Sequence, residues 1–317
     1  MSEGSNAGGR GRDPRTAERR ERRVDDGLAE LDQWLRDQVA QGLARAERAP
    51  YRLWDDASRR LVDASAGPLA AQVKALAAVP RRAGWPDRLL AEYALLRLLV
   101  RAHQHRGALP PRLREIVRAR VGFTVPHDDV LARGERVRDT WCVIGSRDST
   151  LDQLTTRRVW LRGATSGRSA LVLSFAARGR PLDASLTVGT GVDAVLAFYP
   201  DDLRALVAKR AERAAPRTAP SGTSVRGMLD EYAAALADDP WLDRWPAALA
   251  AVRPARDERG DLHVLDGAGD ALPVRTGDPW PLLAVSGGGP VTLSGEWTPE
   301  GLHPLALWHP EEGVVLL

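Results

Sequence analysis

The spacing of apolar positions changes once along the chain, from the period of a helix to the period of a strand. From Val24 to Leu43, apolar residues recur at intervals of four and three, which places them on one face of a helix predicted from about Thr16 to Glu47. Similar periodicity continues in further segments, and prolines stand near their starts, where a missing N–H costs least. The pattern predicts an α-helical domain over residues 17–122.

Beyond this domain the apolar residues alternate or run together, with β-branched side chains enriched between Gly, Asp and Ser. This pattern is typical of antiparallel strands. The stretch from Asp201 to Ala215 returns to a helical period, so we expect a helix that closes a β-rich domain over residues 123–213. The segments predicted as strands are TWCVIG, TTRRVWLRG, SALVLSFA and GVDAVLAFY.

Polar residues punctuated by Pro and Gly predict a linker at residues 214–224. A predicted helical pair follows, VRGMLDEYAAALADDPWLDRWPAALAAV. After it come short apolar runs, PLLAVSG among them, that indicate a small β-sheet or partial barrel, so residues 225–317 form the last module. Residues 1–16 are rich in Gly, Ser and Arg, which predicts a disordered basic tail. The predicted fold class is α+β, with an N-terminal all-α domain followed by antiparallel β-rich modules with a few helices.

Charge is distributed unevenly along the chain. Residues 1–23 have a net charge of +3, residues 24–213 of +8 and residues 214–317 of −8. Such asymmetry indicates either an anionic partner for the first part or docking of the two parts on each other. Only two of the 45 basic residues are lysines, so the abundance of arginine reflects a compositional bias and is weak evidence about function.

Composition excludes several classes of protein. The chain has no apolar run long enough to cross a membrane, and its first residues lack the apolar core of a signal peptide. We therefore expect a soluble cytoplasmic protein without a membrane partner. Cys142 is the only cysteine, which excludes an intramolecular disulfide and a cysteine-based zinc site, and its apolar neighbours indicate a buried, unreactive thiol.

The segment QLTTRRVWLRGATSGRSALVLSFA combines four arginines with a tryptophan on a predicted hairpin. Along its first strand Arg158, Trp160 and Arg162 share one face, whereas Arg157 lies on the other face with apolar residues. The face with Trp160 could bind nucleic acid by stacking and ion pairing, or could be the wall of an amphipathic sheet. We favour the wall. The alternative function is nucleic-acid binding by the basic tail together with Arg157, Arg158, Trp160 and Arg162.

No catalytic or cofactor-binding constellation stands out. GTGVDA matches a dinucleotide-binding pattern, but the residues after it predict a strand where that motif requires a helix. The histidines are spaced poorly for metal binding, adjacent aspartates suit helix starts, and no nucleophile-elbow motif for a serine is present. We therefore expect a protein that is not an enzyme and that has no cofactor.

Longer segments carry a family resemblance: YRLWDDASRRLVDASAGPLAAQVKAL, VGFTVPHDDVL, VRDTWCVIGSRDSTLDQLTTRRVWLRG and SGEWTPEGLHPLALW. Together they resemble the region that follows the finger in actinobacterial SWIM zinc-finger family proteins, from about residue 17 to the end of the sequence. In that family the finger, a C-x-C followed by C-x-H, binds zinc. This sequence has no such motif, so no zinc site is carried over. The chain is either a truncated gene product or a member that has lost the finger.

The resemblance implies an interaction protein. Relatives of this kind resemble components encoded beside MoxR-type AAA+ ATPases and von Willebrand A-domain proteins, which implies an adaptor or scaffold in such an assembly. Because tryptophan is enriched at binding hot spots, the expected anchors are exposed tryptophans of the acidic C-terminal part. These are Trp297 and Trp308, with Trp245 and Trp280. The alternative is that these side chains belong to the core.

Overall fold

The chain forms two units in the computed structural model, Met1–Thr124 and Val125–Leu317. The residues that the structure describes are 14–151, 153–201, 203–215 and 219–317. Nearly all of the predicted basic tail and the centre of the predicted linker lie outside these described residues. Helices in the first unit and two antiparallel sheets in the second confirm the predicted α+β class.

The described part of the first unit is helical, as its apolar period predicts. Its helices are α1 (Pro14–Ala40), α2 (Ala44–Glu47), α3 (Arg52–Asp63), α4 (Gly67–Ala75), α5 (Trp85–Gln104) and α6 (Pro111–Val121). The predicted first helix is interrupted at Gly42, whose φ of +86° is left-handed and ends a helical run. The predicted apolar stripe faces the core from Val24 to Leu35, whereas Val39, further along α1, is exposed.

An aromatic cluster holds α1, α3 and α5 together. Trp34 on α1 meets Trp54 and Tyr93 edge-on, with ring centroids 5.7 and 5.9 Å apart. This geometry is favourable because the positive edge of one ring faces the negative face of the other. Burial of the Tyr93 ring raises the pKa of its hydroxyl. These ring contacts pack the three helices together at the centre of the bundle.

The second unit begins with α7 (His127–Arg133) and continues as a five-stranded sheet. Its strands are β1 (Arg136–Leu151), β2 (Leu154–Gly163), β3 (Ser169–Ala177), β4 (Gly191–Phe198) and β5 (Ala205–Ala215). The order across the sheet is β3-β2-β1-β4-β5, and neighbouring strands are antiparallel. A parallel bridge between Leu171 and Arg204 joins the two edges, so this sheet closes into a first barrel.

The helix predicted to close this β-rich domain is wrong, because the same residues form β5. Ala, Leu, Arg, Lys and Glu dominate this stretch and favour a helix when only local preference acts. Pairing with β4 supplies the backbone partners of a strand instead, and the barrel closes along its start. Tertiary pairing therefore overrides local propensity here.

A second β-structure follows helix α8 (Val225–Asp238). Its elements are β6 (Trp245–Arg256), β7 (Leu262–Leu265), β8 (Ala271–Pro273), α9 (Trp280–Ser286), β9 (Val291–Thr298), β10 (Gly301–His309) and β11 (Gly313–Leu316). The order across this sheet is β11-β10-β9-β6-β7-β8. A parallel bridge between Val274 and Leu302 brings the end of β8 against β10, so β6 to β10 form a second barrel.

The predicted helical pair is only half correct. Its first member is α8, whose start is capped by the Ser224 hydroxyl, which accepts a hydrogen bond from the Gly227 N–H. Its second member is wrong: the alanine-rich stretch forms β6, which pairs with β7 on one edge and β9 on the other. Conversely, the PLLAVSG segment predicted as a strand lies largely in α9, a short helix between β8 and β9.

Both barrels have the same connectivity. In each, the first strand pairs with the second and the fourth, the second with the third, and the fourth with the fifth, while the third and fifth run parallel. This is the arrangement of the five-stranded Greek-key barrel called the OB-fold. The sequence shows no recognisable repeat, so the two barrels share their strand connectivity without a recognisable similarity in sequence. Within the described residues, no helix combines the length and hydropathy needed to cross a bilayer.

Candidate functional site

The outer face of β2 is covered by the second barrel. Val159 and Leu161 belong to the core of the first barrel, and Trp160 lies between them on the opposite face, as the strand period predicts. The exposed fraction of Trp160 is 0 %, because its ring packs in a cluster with Leu305 and Trp308 of the second barrel. Trp160 is therefore enclosed between the barrels rather than exposed, and nucleic-acid binding by the basic tail and the hairpin stays a prediction.

Glu296 on β9 lies at the centre of the contact between the two barrels. We call Glu296 and its partners Trp160, Arg158, Arg147 and Arg244 the junction. Its exposed fraction is 0 %, and four donors surround its carboxylate. The Trp160 indole N–H donates to Oε1 at 2.9 Å, and Arg158 Nε donates to the same atom at 3.1 Å. Arg147 and Arg244 reach Oε2 at 3.4 and 3.5 Å. A buried carboxylate thus receives the hydrogen bonds and positive charge that make its burial tolerable.

Glu296 stays ionised in this setting. Burial alone would raise the pKa of its carboxyl, but the hydrogen bond from Trp160 and the charge and hydrogen bond of Arg158 outweigh burial and leave the pKa below its ordinary value. An ionised, fully hydrogen-bonded carboxylate cannot donate a proton at neutral pH. Glu296 is therefore a structural junction between the barrels.

Further polar contacts join the two barrels around Glu296. The Ser294 hydroxyl, two residues earlier on β9, donates to the carbonyl oxygen of Ile144 on β1. Arg162 on β2 forms a two-pronged ion pair with Glu231 on α8, at 2.7 and 2.8 Å. Bidentate pairs of this kind fix orientation as well as charge.

The remaining hairpin arginine, Arg157, is also engaged. It forms two hydrogen bonds of 2.8 Å with the carboxylate of Asp148 on β1 and donates to the carbonyl oxygen of Asp183 at 3.1 Å. Asp148 holds the pKa of Arg157 above its ordinary value, and Arg157 lowers that of Asp148. The four residues proposed from the sequence as a nucleic-acid surface therefore all have partners inside the second unit.

The C-terminal tryptophans have three different environments. Trp308 is 8 % exposed and lies in the interbarrel cluster, so it is not an exposed anchor. Trp245 and Trp297 are partly buried against the core of the second barrel. Trp280, at the start of α9, is 69 % exposed. Of the proposed anchors, Trp280 has the exposure that a binding contact needs.

Beside the junction, the second barrel has a polar cleft with a volume of about 590 Å³. Four of its lining groups bear on ligand binding: Arg147 from β1, Arg256 at the end of β6, Arg275 after β8 and His303 on β10. The cleft is also lined by Gly260, Asp261, Leu262, Val274, Thr276, Gly277, Pro279, Pro304 and Leu317. It is therefore built mainly from loops and strand ends of the second barrel.

Two of the cleft arginines are held by backbone oxygens. Arg256 Nη1 donates to the carbonyl of Gly260 at 2.7 Å, and Arg275 Nε donates to the carbonyl of Glu300 at 2.7 Å. Within the described part of the chain neither forms an ion pair with a carboxylate, whereas Arg147 is drawn toward Glu296. Both guanidinium groups thus keep their charge available at the cleft.

His303 is the cross-strand partner of Glu296 in the β9–β10 pairing. Burial lowers the pKa of its imidazole, and the nearby charge of Arg147 lowers it further, against smaller opposing effects of Glu296 and Glu300. A lowered pKa leaves the ring neutral at pH 7, with one N–H to donate and one nitrogen to accept.

The other candidates from the sequence do not converge on a site. Cys142 is buried in the interbarrel cluster, and in the GTGVDA segment a turn at Gly189 leads into β4, which begins at Gly191. Two of the histidines, His103 on α5 and His105 just after it, lie apart: the first is buried beside Asp25 and the second is exposed. In the part of the chain that the structure describes, no group of three or more His, Cys, Asp or Glu side chains is arranged to hold a metal ion.

Sequence reasoning named Arg158 and Trp160 of the junction but missed Glu296 and the residues that form the cleft. A signal for Glu296 exists in VTLSGEWT, where Leu293 and Trp297 share the core face and Ser294 and Glu296 share the other. A glutamate on an outer strand face is ordinarily solvated, so parity alone does not reveal its burial. Arg147, Arg256 and Arg275 have no common motif and are brought together only by barrel closure.

Comparison with known proteins identifies the helical unit. Residues 19–121 match the SWIM-associated four-helix bundle domain. This match confirms, over these residues, the resemblance to SWIM zinc-finger family proteins. No curated protein and no solved structure matches the chain.

Proposed function

We propose that this chain, whose residues 19–121 match a SWIM-associated four-helix bundle domain, is a non-enzymatic, cytoplasmic adaptor. In this proposal it binds a protein partner through the second barrel. The first barrel supports this role as a structural platform, because its outer face on β2 is already occupied. The second barrel keeps its loops and the basic cleft open.

The exposure of Trp280 carries the proposal. Its neighbour Leu282 is buried in the second barrel, so α9 is anchored while the indole remains in solvent. Leaving a large apolar ring in water forgoes about 25 cal/mol for each Å² that could be buried, and tryptophan is a favoured hot-spot residue. Trp280 directly follows Pro279, which lines the cleft. An aromatic anchor and a charged cleft are therefore adjacent in the chain.

The polar groups of the junction favour binding over catalysis. Glu296 is the most buried carboxylate beside the cleft, but Trp160 and three arginines already occupy its oxygens. A general acid or base needs a pKa near the working pH and access to substrate, and Glu296 has neither. His303 alone supplies no nucleophile–base pair.

The resemblance to SWIM zinc-finger family proteins suggests the class of partner. We propose a MoxR-type AAA+ ATPase or a von Willebrand A-domain protein, whose binding surface would bury Trp280. The acidic character of residues 214–317 as a whole, with a net charge of −8, favours a partner with a basic surface.

The proposal is tested by affinity capture of the tagged chain from its own host, with and without nuclease, followed by mass spectrometry. We expect an AAA+ ATPase or an A-domain protein to be retained after nuclease treatment. Recovery of neither class, or loss of every captured protein with nuclease, would overturn the adaptor role.

A further inference from the structure

We propose that the basic cleft of the second barrel is a binding site for the phosphate group of a small molecule. This inference is independent of the adaptor role, because it concerns a small-molecule site rather than the protein contact at Trp280. It is carried by the cluster of Arg147, Arg256, Arg275 and His303 around one open cavity.

The charge of the lining favours a doubly charged oxyanion. The lining side chains include three arginines and one aspartate, Asp261, which leaves an excess of two positive charges when His303 is neutral. A phosphate monoester carries about −1.5 to −2 at pH 7, whereas one carboxylate carries a single charge. Arginine forks also match phosphate geometry, with two parallel N–H donors per guanidinium.

The cleft lies where barrels of this connectivity bind ligands. In such barrels the loop between strands one and two and the loop between strands four and five flank the ligand. Here Gly260 and Asp261 belong to the first of these loops, between β6 and β7. Arg275 is tied to the carbonyl of Glu300 in the second, between β9 and β10. In the first barrel, by contrast, the outer face of β2 around Trp160 is covered by the second barrel.

The size and surrounding charge of the cleft favour a small ligand over a nucleic-acid strand. A volume of about 590 Å³ lies within the ordinary range for small-molecule sites. Residues 225–317 contain six arginines, no lysine and fifteen acidic residues, a net charge of −9. A long polyanion crossing this surface would be repelled by the acidic residues beyond the cleft. A compact anion would contact only the arginines that line the cleft.

Calorimetric titration of the full chain, tagged at its N-terminus and kept in phosphate-free buffer of constant ionic strength, tests the proposal. The probes are inorganic phosphate, phenyl phosphate, acetate and a short oligothymidylate. We expect saturable binding of both phosphate probes and weaker binding of acetate. Binding of phenyl phosphate tighter than inorganic phosphate identifies an ester as the natural source, and the reverse order identifies the free ion.

Variants locate the site. Arg256→Ala and Arg275→Ala should each weaken phosphate binding about tenfold or more, because each removes a charge-assisted hydrogen bond. Arg253→Ala is the matched control, since it removes an exposed arginine of the same strand as Arg256 that does not line the cleft, and it should leave binding unchanged. If Arg256→Ala unfolds, Arg256→Lys keeps the charge and should lose affinity through loss of the fork.

Four results would overturn the proposal. They are the absence of saturable binding by either phosphate probe, acetate affinity equal to that of phosphate, oligothymidylate binding that phosphate does not displace, and an equal loss of affinity in Arg253→Ala.

Discussion

The indole N–H of Trp160 donates to Glu296 Oε1 across 2.9 Å, and this bond joins the second strand of one barrel to the fourth strand of the next. The two residues are 136 positions apart in the sequence. Trp160, which lies between two arginines in the sequence pattern of a possible ligand surface, is therefore the hydrogen-bond donor to a buried carboxylate. The same carboxylate pairs with Arg147, which also lines the cleft, so the junction and the cleft share a residue.

Glu296→Gln should destabilise the second unit by about 3 kcal/mol, because Arg147, Arg158 and Arg244 lose their common counter-charge while the side-chain volume is kept. Chemical denaturation at neutral pH measures this loss. Glu231→Gln, which removes a half-buried partner of Arg162 alone, is the comparison and should cost less. A Glu296→Gln variant as stable as the parent would contradict the structural role of the junction.

The effect of Glu296 should depend on pH. Its folded pKa lies below the ordinary glutamate value, so its contribution is present above about pH 4.3 and is lost as pH falls through the lower folded value. The difference in unfolding free energy between the parent and Glu296→Gln should therefore shrink as pH falls below about 4.3. A difference that grows on acidification would reverse the assigned sign of the pKa shift.

Truncation of Trp308 should reduce the free energy of unfolding far more than truncation of Trp280. Trp308→Ala removes a ring from the interbarrel cluster and should cost about 3 to 5 kcal/mol, whereas Trp280→Ala removes an exposed ring and should change stability by less than about 1 kcal/mol. Thermal and urea unfolding of the two variants measure this contrast. Equal losses would place both rings in the same environment and contradict the description of α9.

Gly295→Ala should disturb the pairing of β9 with β10. A Cβ at this position would lie 2.5 Å from the backbone oxygen of His303, which cannot rotate away. We expect a cost of about 1 to 3 kcal/mol and weaker phosphate binding, since His303 lines the cleft. Gly267→Ala is the control, because nothing lies within 4 Å of its Cβ, and denaturation should show little change. A tolerated Gly295→Ala would mean that the two strands are less closely paired.

Occupancy of the cleft by phosphate should raise the pKa of His303. Burial and the charge of Arg147 lower this pKa, and a bound anion offsets the second cause. NMR titration of the imidazole in phosphate and in chloride at equal ionic strength measures the shift, with the exposed His105 of the first unit as reference. An unchanged His303 pKa under saturating phosphate would place the anion elsewhere.

Local periodicity was sufficient to predict the helical unit and the alternation along β2. The part of the stripe from Val24 to Leu35 is buried as its spacing indicates, and Val159 and Trp160 lie on opposite faces. Both predictions depend only on which residues share a face of an isolated element. What covers the face of Trp160 depends on a strand far along the sequence, which no local pattern contains.

Local preference failed where barrel closure decides the structure. The residues of β5 and β6 are rich in Ala, Arg and Leu, and they form strands because their neighbours offer unpaired edges. The cleft shares this origin, since Arg147 and Arg275 meet only after both barrels form. Trp280 was among the proposed anchors, but the sequence did not separate it from the buried Trp308.

Comparison of Trp280→Ala with Phe175→Ala in nuclease-treated affinity capture tests the central claim most directly. Phe175 is a matched control because its ring is 51 % exposed but lies on β3 of the first barrel. The adaptor role through the second barrel predicts that Trp280→Ala loses the AAA+ ATPase or A-domain partner while Phe175→Ala retains it, with both variants folded. Retention of the partner by Trp280→Ala at the level of the parent would contradict the account.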